Sequence, residues 1–332
     1  MNCTVPETVL ECEDHLGRAL WVALDVLLML AILAGNVPTV YAMACCRHLS
    51  MLISNQFVAS LAVSDLLVGL SLPYHTAFYL CARLGTHPVA CLLRFVLLLL
   101  SCCASICSLI GITVDRYISI VYPLHYNCWI TEKVVGTIVA VGWLVALIIA
   151  TVPTYWNNWK DNTACEMDKV LPWQYVLFII TPAFLLVWVA MVFIYWRIWR
   201  EAARQARNIS QVSICHSGSR DKKSIQVVMM VMVSFSICWL PFFIASCVQV
   251  MGVKTQASTI VYKFAFSLGI ANSFMNPMIY AWKNPGFKHV FMQLLCCQKI
   301  FWKTSPKIMQ QTQCPSISLQ LPIRMQQPCV LP

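Results

Sequence analysis

The stretch that decides the fold is Phe95-Val-Leu-Leu-Leu-Leu-Ser-Cys-Cys-Ala-Ser-Ile-Cys-Ser-Leu-Ile-Gly-Ile-Thr-Val114, followed directly by Asp115-Arg116-Tyr117. The first of these segments carries no charged residue. At a rise of about 1.5 Å per residue, a helix of this length crosses the roughly 30 Å hydrocarbon layer of a bilayer. The stretch is therefore predicted to span a membrane, with the Asp115–Arg116 pair where the helix leaves the lipid. An arginine at that depth can stay hydrated or change its carboxylate partner, which makes the pair a candidate switch.

The composition excludes a soluble globular protein. Of the 332 residues, 59% are hydrophobic and 11% are charged, whereas about 25% of residues are charged in soluble domains. The formal net charge of +10 does not indicate nucleic-acid binding, because the basic residues lie between apolar segments and form no aromatic-rich patch. The sequence therefore predicts an integral membrane protein that contacts lipid and no nucleic acid.

Seven apolar segments are long enough to cross a bilayer. They cover residues 21–44, 56–80, 92–114, 134–153, 173–196, 225–251 and 260–282. An odd number of crossings puts the termini on opposite sides. With the N-terminus outside, the inner segments carry sixteen Lys and Arg residues and the outer segments five. Because basic residues accumulate in cytoplasmic segments, a multi-pass plasma-membrane protein with an extracellular N-terminus is predicted. No cleavable signal peptide is expected, since the first residues are acidic and lack a basic-then-apolar pattern.

Four regions follow from this topology. Residues 1–20 form an extracellular N-terminus, 21–282 a transmembrane bundle, 283–297 an amphipathic helix on the inner membrane surface and 298–332 a disordered cytoplasmic tail. Asn2 belongs to an outer glycosylation sequon, whereas the sequon at Asn208 lies inside and would be silent. Cys296 and Cys297, at the end of the amphipathic segment, are candidates for palmitoylation.

Asp65 lies in the middle of the second span. A carboxylate at this depth is costly, so it is expected to face the bundle interior and to find a partner, a cation or a proton. Ser105, Asn272 and Asn276 fall at depths that would complete an oxygen-rich cluster. Because oxygen ligands suit a hard cation such as sodium, this is a candidate sodium site. An aspartate satisfied by its neighbours is the alternative.

The cysteines fall into two groups. Cys91 and Cys165 lie on the outer side, where a disulfide is plausible, but Cys3, Cys12 and Cys81 lie there too and spacing does not choose among them. The cysteines inside the spans are expected to be small apolar packing residues. They are Cys102, Cys103, Cys107, Cys238 and Cys247.

Two spans contain an interior proline. The sixth holds Cys238-Trp239-Leu240-Pro241 and the seventh Asn276-Pro277-Met-Ile-Tyr280. Proline removes one helical hydrogen bond and kinks the helix, so both positions are candidate hinges. Trp239, two residues before Pro241, is placed to move with its kink.

Taken in order along the chain, these features resemble the rhodopsin-like (class A) G-protein-coupled receptors over about residues 20–297. The signature residues are Asn36, Asp65, Asp115-Arg116-Tyr117, Trp143, Cys238-Trp239-Leu240-Pro241 and Asn276-Pro277-Met-Ile-Tyr280. The resemblance implies an all-α, seven-transmembrane helix bundle with a short amphipathic eighth helix. It also implies coupling of an extracellular small-molecule ligand to an inner heterotrimeric G protein, with no cofactor apart from an allosteric sodium ion.

Particular contacts are implied by the same resemblance. Cys91 and Cys165 would form a disulfide that holds the second outer loop over the pocket. Asp221 would be the acidic partner of Arg116 in an inner ionic lock. Asp65, Ser105, Asn272 and Asn276 would form the family's sodium pocket.

The ligand pocket departs from the closest branches of the family. Residues 115–127 and 156–158 resemble adenosine receptors, whereas Phe242-Phe243 resembles the aminergic aromatic pair. The aminergic aspartate of the third helix is replaced by Leu98, so an ammonium ligand would lack its counter-ion. The positions that bind adenosine are also replaced, although Asp168 keeps an acid: the substituted residues are Phe243, Ser246, Gly269, Ile270 and Met167.

The family's facing positions give a mostly apolar pocket. Its members are Leu98, Leu99, Cys102, Met167, Asp168, Phe242, Phe243, Ser246, Phe266, Gly269 and Ile270. A nucleoside buried here would leave polar groups unpaired at about 1–3 kcal/mol each. We therefore expect an apolar small molecule, or signalling without ligand, in place of a simple monoamine or adenosine. Asp25, His75 and Arg94 are candidates for orienting a polar end, or are packed and snorkelling residues.

A transporter or channel is the alternative from another class, because Asp25, Asp65, Arg94 and Lys263 are intramembrane charges. Transporters usually contain repeated halves, which this sequence lacks. An enzyme is not expected, since the spans contain no metal-ligand spacing or activated-nucleophile motif.

Overall fold

The computed structural model describes residues 7–45, 52–160, 165–211, 218–252 and 255–283. The described part of the chain is almost entirely helical and contains no strand. Its seven long helices are α1 (Glu7–Cys45), α2 (Asn55–Leu80), α3 (Pro88–Val121), α4 (Glu132–Tyr155), α5 (Thr181–Gln211), α6 (Gly218–Val250) and α7 (Gln256–Lys283).

Short helical turns connect the long helices. They are Ala82–Gly85, Tyr126–Trp129, Met167–Val170 and Trp173–Tyr175. The last leads through the π-helical turn Val176–Ile180 directly into α5. Each predicted span lies within one of these helical stretches, except that the sixth, 225–251, extends one residue past the end of α6 at Val250. The first helix begins at Glu7, well before the span predicted from residue 21. Hydropathy predicts the part of a helix that lies in the membrane, and this helix continues beyond that part.

Six of the described helical stretches are long and apolar enough to cross a membrane. The seventh long helix, α7, has 28 residues and is long enough to cross, but it is less apolar than the other six. It carries Lys263 and the buried polar residues Asn272, Ser273 and Asn276, which lower its mean hydropathy. These polar groups face the other helices of the bundle, which shield them from lipid.

The helices close into a ring. Contacts join α1 to α2, α2 to α3, α3 to α5, α5 to α6, α6 to α7 and α7 back to α1, while α4 packs outside the ring against α3 and α2. Large apolar side chains on α4 and α5 point outward, among them Leu144, Leu186 and Phe193. Apolar side chains that face outward are stable in lipid, so the ring is a membrane bundle with its polar residues inside.

The contact between α1 and α7 depends on a glycine and a proline. A Cβ atom added to Gly35 would lie 2.5 Å from Cγ of Pro277, so only glycine allows the helices to approach this closely. Pro277 has no backbone N–H, which leaves the carbonyl of Ser273 without its helical donor. The side-chain amide of Asn36 donates to this carbonyl at 3.0 Å. Asn36 therefore satisfies the backbone group that the proline frees.

Candidate functional site

A disulfide fixes the second outer loop to the start of α3. Cys91 and Cys165 are bonded, with their Cα atoms 5.7 Å apart. One turn further along α3, Nη1 of Arg94 donates to the carbonyl of Cys165 at 3.2 Å. The predicted pairing is confirmed.

The cysteines that the sequence analysis placed inside the spans agree with its expectation. Cys81 is exposed and free, and the five cysteines inside the spans are free as well. Cys3 and the side chain of Cys12 lie outside the described part of the chain. The cysteines within the apolar spans are therefore packing residues.

Apolar side chains from α3, α6 and α7 meet below this loop. Leu98, Cys102 and Phe266 pack against a buried cluster that includes Ile270. The ring centroid of Phe242 lies 5.8 Å from that of Phe266. These predicted pocket residues are therefore neighbours, and Leu99 lies on the same helix, α3, partly buried.

Trp239 packs against the predicted pocket residues, and its exposed fraction is 8%. Its ring centroid lies 5.9 Å from that of Phe242 and 6.2 Å from that of Phe243. Phe243 in turn stacks on Phe184 of α5 at 3.7 Å. A Cβ atom on Gly269 would lie 3.3 Å from Cζ3 of Trp239, so this glycine lets the indole lie against α7.

Two polar side chains near the lining are engaged, whereas the buried Nε1 of Trp239 has no hydrogen-bond partner in the described structure. The Ser246 hydroxyl donates to the carbonyl of Phe242 at 2.7 Å, and the Tyr262 hydroxyl lies 3.2 Å from Sδ of Met167. The side chain of Asp168 lies outside the described part. A ligand in the described pocket therefore meets mainly apolar and aromatic surface.

A polar cluster lies beside these residues, in the outer halves of α1, α2 and α3. Asp25 and His75 are each 4% exposed, and Nδ1 of His75 lies 3.2 Å from Oδ2 of Asp25. Thr76 donates to the same oxygen at 3.2 Å. Nη2 of Arg94 lies 2.6 Å from Nε2 of His75. The three residues that the sequence offered as separate candidates thus form one network.

Three of the four predicted sodium residues are in contact, and the fourth, Asn272, is buried one turn from Asn276 on α7. Asp65 is fully buried and accepts hydrogen bonds from Ser105 to Oδ1 and from Asn276 to Oδ2, both at 2.9 Å. The side-chain carbonyl oxygens of Asn272 and Asn276 are buried with no hydrogen-bond partner in the described structure. Carboxylate, hydroxyl and unpaired amide oxygens are the donors that a hard cation prefers. The residues present therefore fit a sodium ion.

At the inner end of α3, Asp115 holds two partners. Nη2 of Arg116 lies 2.8 Å from Oδ2 of Asp115, and the Tyr126 hydroxyl donates to Oδ1 at 2.8 Å. Asp115 is buried, whereas the Arg116 side chain remains 29% exposed. The described ionic partner of Arg116 is thus its own neighbour. The side chain of Asp221 lies outside the described part, and the predicted Arg116–Asp221 lock stays a prediction.

Buried aromatic residues surround this inner end. The hydroxyl of Tyr195, on α5, lies 2.9 Å from that of Thr113, on α3. Tyr117 packs against the same buried cluster that contains Tyr280. The tyrosines of α3, α5 and α7 therefore converge where the predicted switch residues lie.

Some of these contacts were missed by the sequence analysis. Trp143 donates through Nε1 to Ser60 at 3.0 Å, and Ser60 also bonds to Ser108 at 2.8 Å, which joins α4, α2 and α3. Ser and Thr within apolar spans are the available signal, since such groups often bond across helices. Their partners depend on tertiary packing and cannot be read from spacing.

Comparison with known proteins identifies the fold. Residues 35–280 match the family described as "7 transmembrane receptor (rhodopsin family)". This chain belongs to that family. It is therefore a G-protein-coupled receptor, a multi-pass protein of the plasma membrane and not an enzyme, which rules out the transporter or channel alternative.

Individual relatives of this receptor are aminergic. The histamine H2 receptor of Cavia porcellus is 30% identical over 283 residues, covering 82% of this chain and 78% of that protein. The human histamine H2 receptor is 30% identical, covering 83% of this chain and 79% of its own length. The alpha-1A adrenergic receptor of Oryzias latipes is 28% identical, covering 89% of this chain and 71% of its own length. The adenosine-like character of residues 115–127 stays a prediction.

Proposed function

We propose that this receptor responds to an apolar small molecule, and neither to a simple monoamine nor to adenosine at high affinity. The ligand enters from the extracellular side, where the N-terminus lies, and binds between Trp239 and the loop held by Cys165. Its binding is transmitted along α6 and α7 to a heterotrimeric G protein at the inner end of α3.

The main support for this proposal is the apolar environment of Leu98. Its side chain packs against Ile32, Val68 and Leu72 in an apolar cluster. No described carboxylate is available there to pair with an ammonium group. Of the described carboxylates on the outer side, Asp25 is held by His75 and Thr76, and Glu166 pairs with Lys169 at 2.8 Å.

An amine receptor is the second candidate, because the relatives are named for histamine and adrenergic ligands. Histamine is a cation at neutral pH, and burying a cation without a counter-ion is unfavourable. This receptor can therefore share the fold of these relatives without binding their ligands.

The proposed signalling route passes through Trp239 and Asp65. Trp239 packs between Phe242 and Gly269, so an occupied pocket bears directly on the helix that contains Pro241. Asp65 lies between this level and the inner residues, and sodium bound there would favour one arrangement by its differential affinity. Ligand, sodium and G protein would thus act on one equilibrium.

Modifications complete the proposal. Asn2 is glycosylated on the outside, and Cys296 and Cys297 are palmitoylated on the inside, which holds the segment 283–297 against lipid. All three residues lie outside the described part of the chain.

The test is ligand-dependent nucleotide exchange on G protein in membranes that contain the receptor. Histamine, noradrenaline and adenosine are compared with a library of apolar small molecules. We expect no exchange with the three polar compounds below about 1 µM, and a response within the apolar set. Leu98→Asp supplies the missing counter-ion, so it should increase the response to amines relative to the unmodified receptor.

Two results would contradict the proposal. A response of the unmodified receptor to histamine or noradrenaline below about 1 µM would establish the amine reading. A comparable response to adenosine that is lost in Asp168→Ala would restore the adenosine reading.

A further inference from the structure

Five residues form what we call the outer charge cluster, which lies beside the apolar pocket. They are Asp25 on α1, His75 and Thr76 on α2, Arg94 on α3 and Lys263 on α7. Buried charges within a membrane bundle are costly and are retained where they pair or bind something. The cluster therefore raises the question of which charges compensate each other.

The hydrogen bonds define the charge of His75. A guanidinium group has donors and no acceptor, so Nε2 of His75 accepts from Arg94 at 2.6 Å. The proton then resides on Nδ1, which donates to Oδ2 of Asp25 at 3.2 Å. His75 is therefore neutral, and its contact with Asp25 is a hydrogen bond and not an ion pair.

Arg94 has donors to spare. Its described hydrogen bonds go to His75 and to the carbonyl of Cys165, and its Cζ atom lies 4.8 Å from the ring centroid of Phe78. A guanidinium has five N–H donors. No described carboxylate forms an ion pair with Arg94. Asp25 is separated from it by the imidazole of His75, and Glu166, beside Cys165, pairs with Lys169 at 2.8 Å.

Lys263 lacks a described carboxylate partner as well. Its Nζ atom lies 5.7 Å from the ring centroid of Tyr79 and 6.0 Å from that of Trp21. The Tyr79 ring also lies edge-on to His75, at 5.6 Å between centroids. Lys263 and the neutral imidazole of His75 therefore both lie beside the ring of Tyr79.

The cluster holds an excess of positive charge. Arg94 and Lys263 are two cations, Asp25 is one anion and His75 is neutral. The excess lies next to Phe266, whose ring stacks on His75 at 5.0 Å and lies 5.8 Å from that of Phe242 in the apolar pocket. The excess positive charge thus lies beside apolar and aromatic side chains.

We propose that the outer charge cluster binds the carboxylate of a small apolar acid, whose body extends over Phe266 and Phe242. The planar fork of Arg94 receives the carboxylate, because guanidinium and carboxylate match in bidentate geometry. Lys263 adds a second positive charge, and an ammonium group is repelled from the same place. This inference rests on the proposed function and specifies the chemical class of the ligand.

The test uses three probes with one apolar body: 4-phenylbutyrate, 4-phenylbutanamide and 4-phenylbutylamine. Their end groups are an anion, a neutral amide and a cation. Binding to the purified full-length receptor in lipid nanodiscs is measured as a saturable rise in Tm and as saturation-transfer NMR. We expect the acid to bind at least about tenfold more tightly than the amide and the amine, as a charge-assisted hydrogen bond implies.

Variants assign this preference to the cluster. Arg94→Gln should reduce the affinity for the acid about tenfold, to that of the amide, and Lys263→Gln should reduce it by a smaller factor. Arg94→Lys keeps the charge without the fork and should retain part of the preference. The matched control is Arg83→Gln, which removes an outer basic residue from the turn Ala82–Gly85 and should leave all three affinities unchanged.

The comparison of probes on the unmodified receptor needs no folded variant. Equal binding of the acid, amide and amine would overturn the inference, and so would an unchanged acid preference in Arg94→Gln and Lys263→Gln. Nucleotide exchange measured on the same preparation separates this site from the proposed function. Acid-selective binding without exchange supports the site and contradicts the proposed signalling response, whereas exchange without any acid preference contradicts only the site.

Discussion

At the scale of single residues, Asp65 shows how a buried charge is made tolerable. Ser105 and Asn276 each donate to one of its oxygens. The free amide oxygens of Asn272 and Asn276 lie in the same buried region, so the cluster offers oxygen ligands that its own donors do not use. Hydrogen bonding and cation binding are therefore compatible at this position.

We predict that sodium lowers ligand-independent nucleotide exchange through Asp65. Exchange should fall when sodium replaces N-methylglucamine at equal ionic strength, because an ion that prefers one state shifts the population toward it. Asp65→Asn should abolish this response, and Ser105→Ala should weaken it. Ser101→Ala is the matched control, since the described hydrogen bonds of Ser101 stay within α3 and go to the carbonyls of Leu97 and Leu98. A full sodium response in Asp65→Asn would place the site elsewhere.

At the scale of elements, α3 is held at both ends. The outer end is tied to the second loop by the Cys91–Cys165 disulfide and by the hydrogen bond of Arg94. The inner end is tied to the turn Tyr126–Trp129 through Asp115. A helix that contacts α2, α4 and α5 and is anchored at each end is suited to be the frame against which other helices move.

Loss of the outer disulfide should impair the folding of the receptor. Cys91→Ser and Cys165→Ser each release the loop, and removal of a native disulfide costs about 2–5 kcal/mol. We expect lower surface delivery and a lower Tm than for the unmodified receptor. Cys81→Ser is the control, because this outer cysteine is exposed and free. Equal delivery of all three variants would show that the loop does not need the bond.

The inner anchor should restrain ligand-independent signalling. Tyr126→Phe removes the donor that orients the Asp115 carboxylate toward Arg116, a hydrogen bond to a charged group that contributes about 1 kcal/mol when partly exposed. We expect basal nucleotide exchange to rise by a small factor at matched expression. Tyr122→Phe is the matched control, because the ring of Tyr122 is exposed. It should leave exchange unchanged. Equal exchange in both variants would remove Tyr126 from the restraint.

The pH dependence of this anchor has a defined sign. Burial, and then the hydrogen bond to Asp115, raise the pKa of Tyr126 to about 12. Because the folded-state pKa exceeds the ordinary value of about 10, the stabilising contribution is complete below pH 10 and is lost as pH rises through 12. The hydroxyl therefore remains a donor throughout the physiological range.

At the scale of the whole molecule, the sequence predicts the bundle and its signature positions well. Spans follow from hydropathy, and the free cysteines within them follow from their apolar neighbours. Other features depend on packing between distant segments. Nothing in the spacing of Asp25, His75 and Arg94 shows that they form one chain of hydrogen bonds. The neutral state of His75 follows only when its two partners are known.

The orientation of the bundle is a prediction of the whole molecule, because it rests on charges distributed over all connections. Basic residues favour the inner side, which puts Asn2 outside and Asn208 inside. Both asparagines lie in acceptor sequons, but only a sequon on the outer side meets the glycosylation machinery. In mammalian cells, Asn2→Gln should abolish the shift in electrophoretic mobility that an N-glycosidase produces, whereas Asn208→Gln should leave it unchanged. A shift that survives Asn2→Gln and disappears in Asn208→Gln would invert the predicted topology, with the Asp115–Arg116 pair then facing away from any G protein.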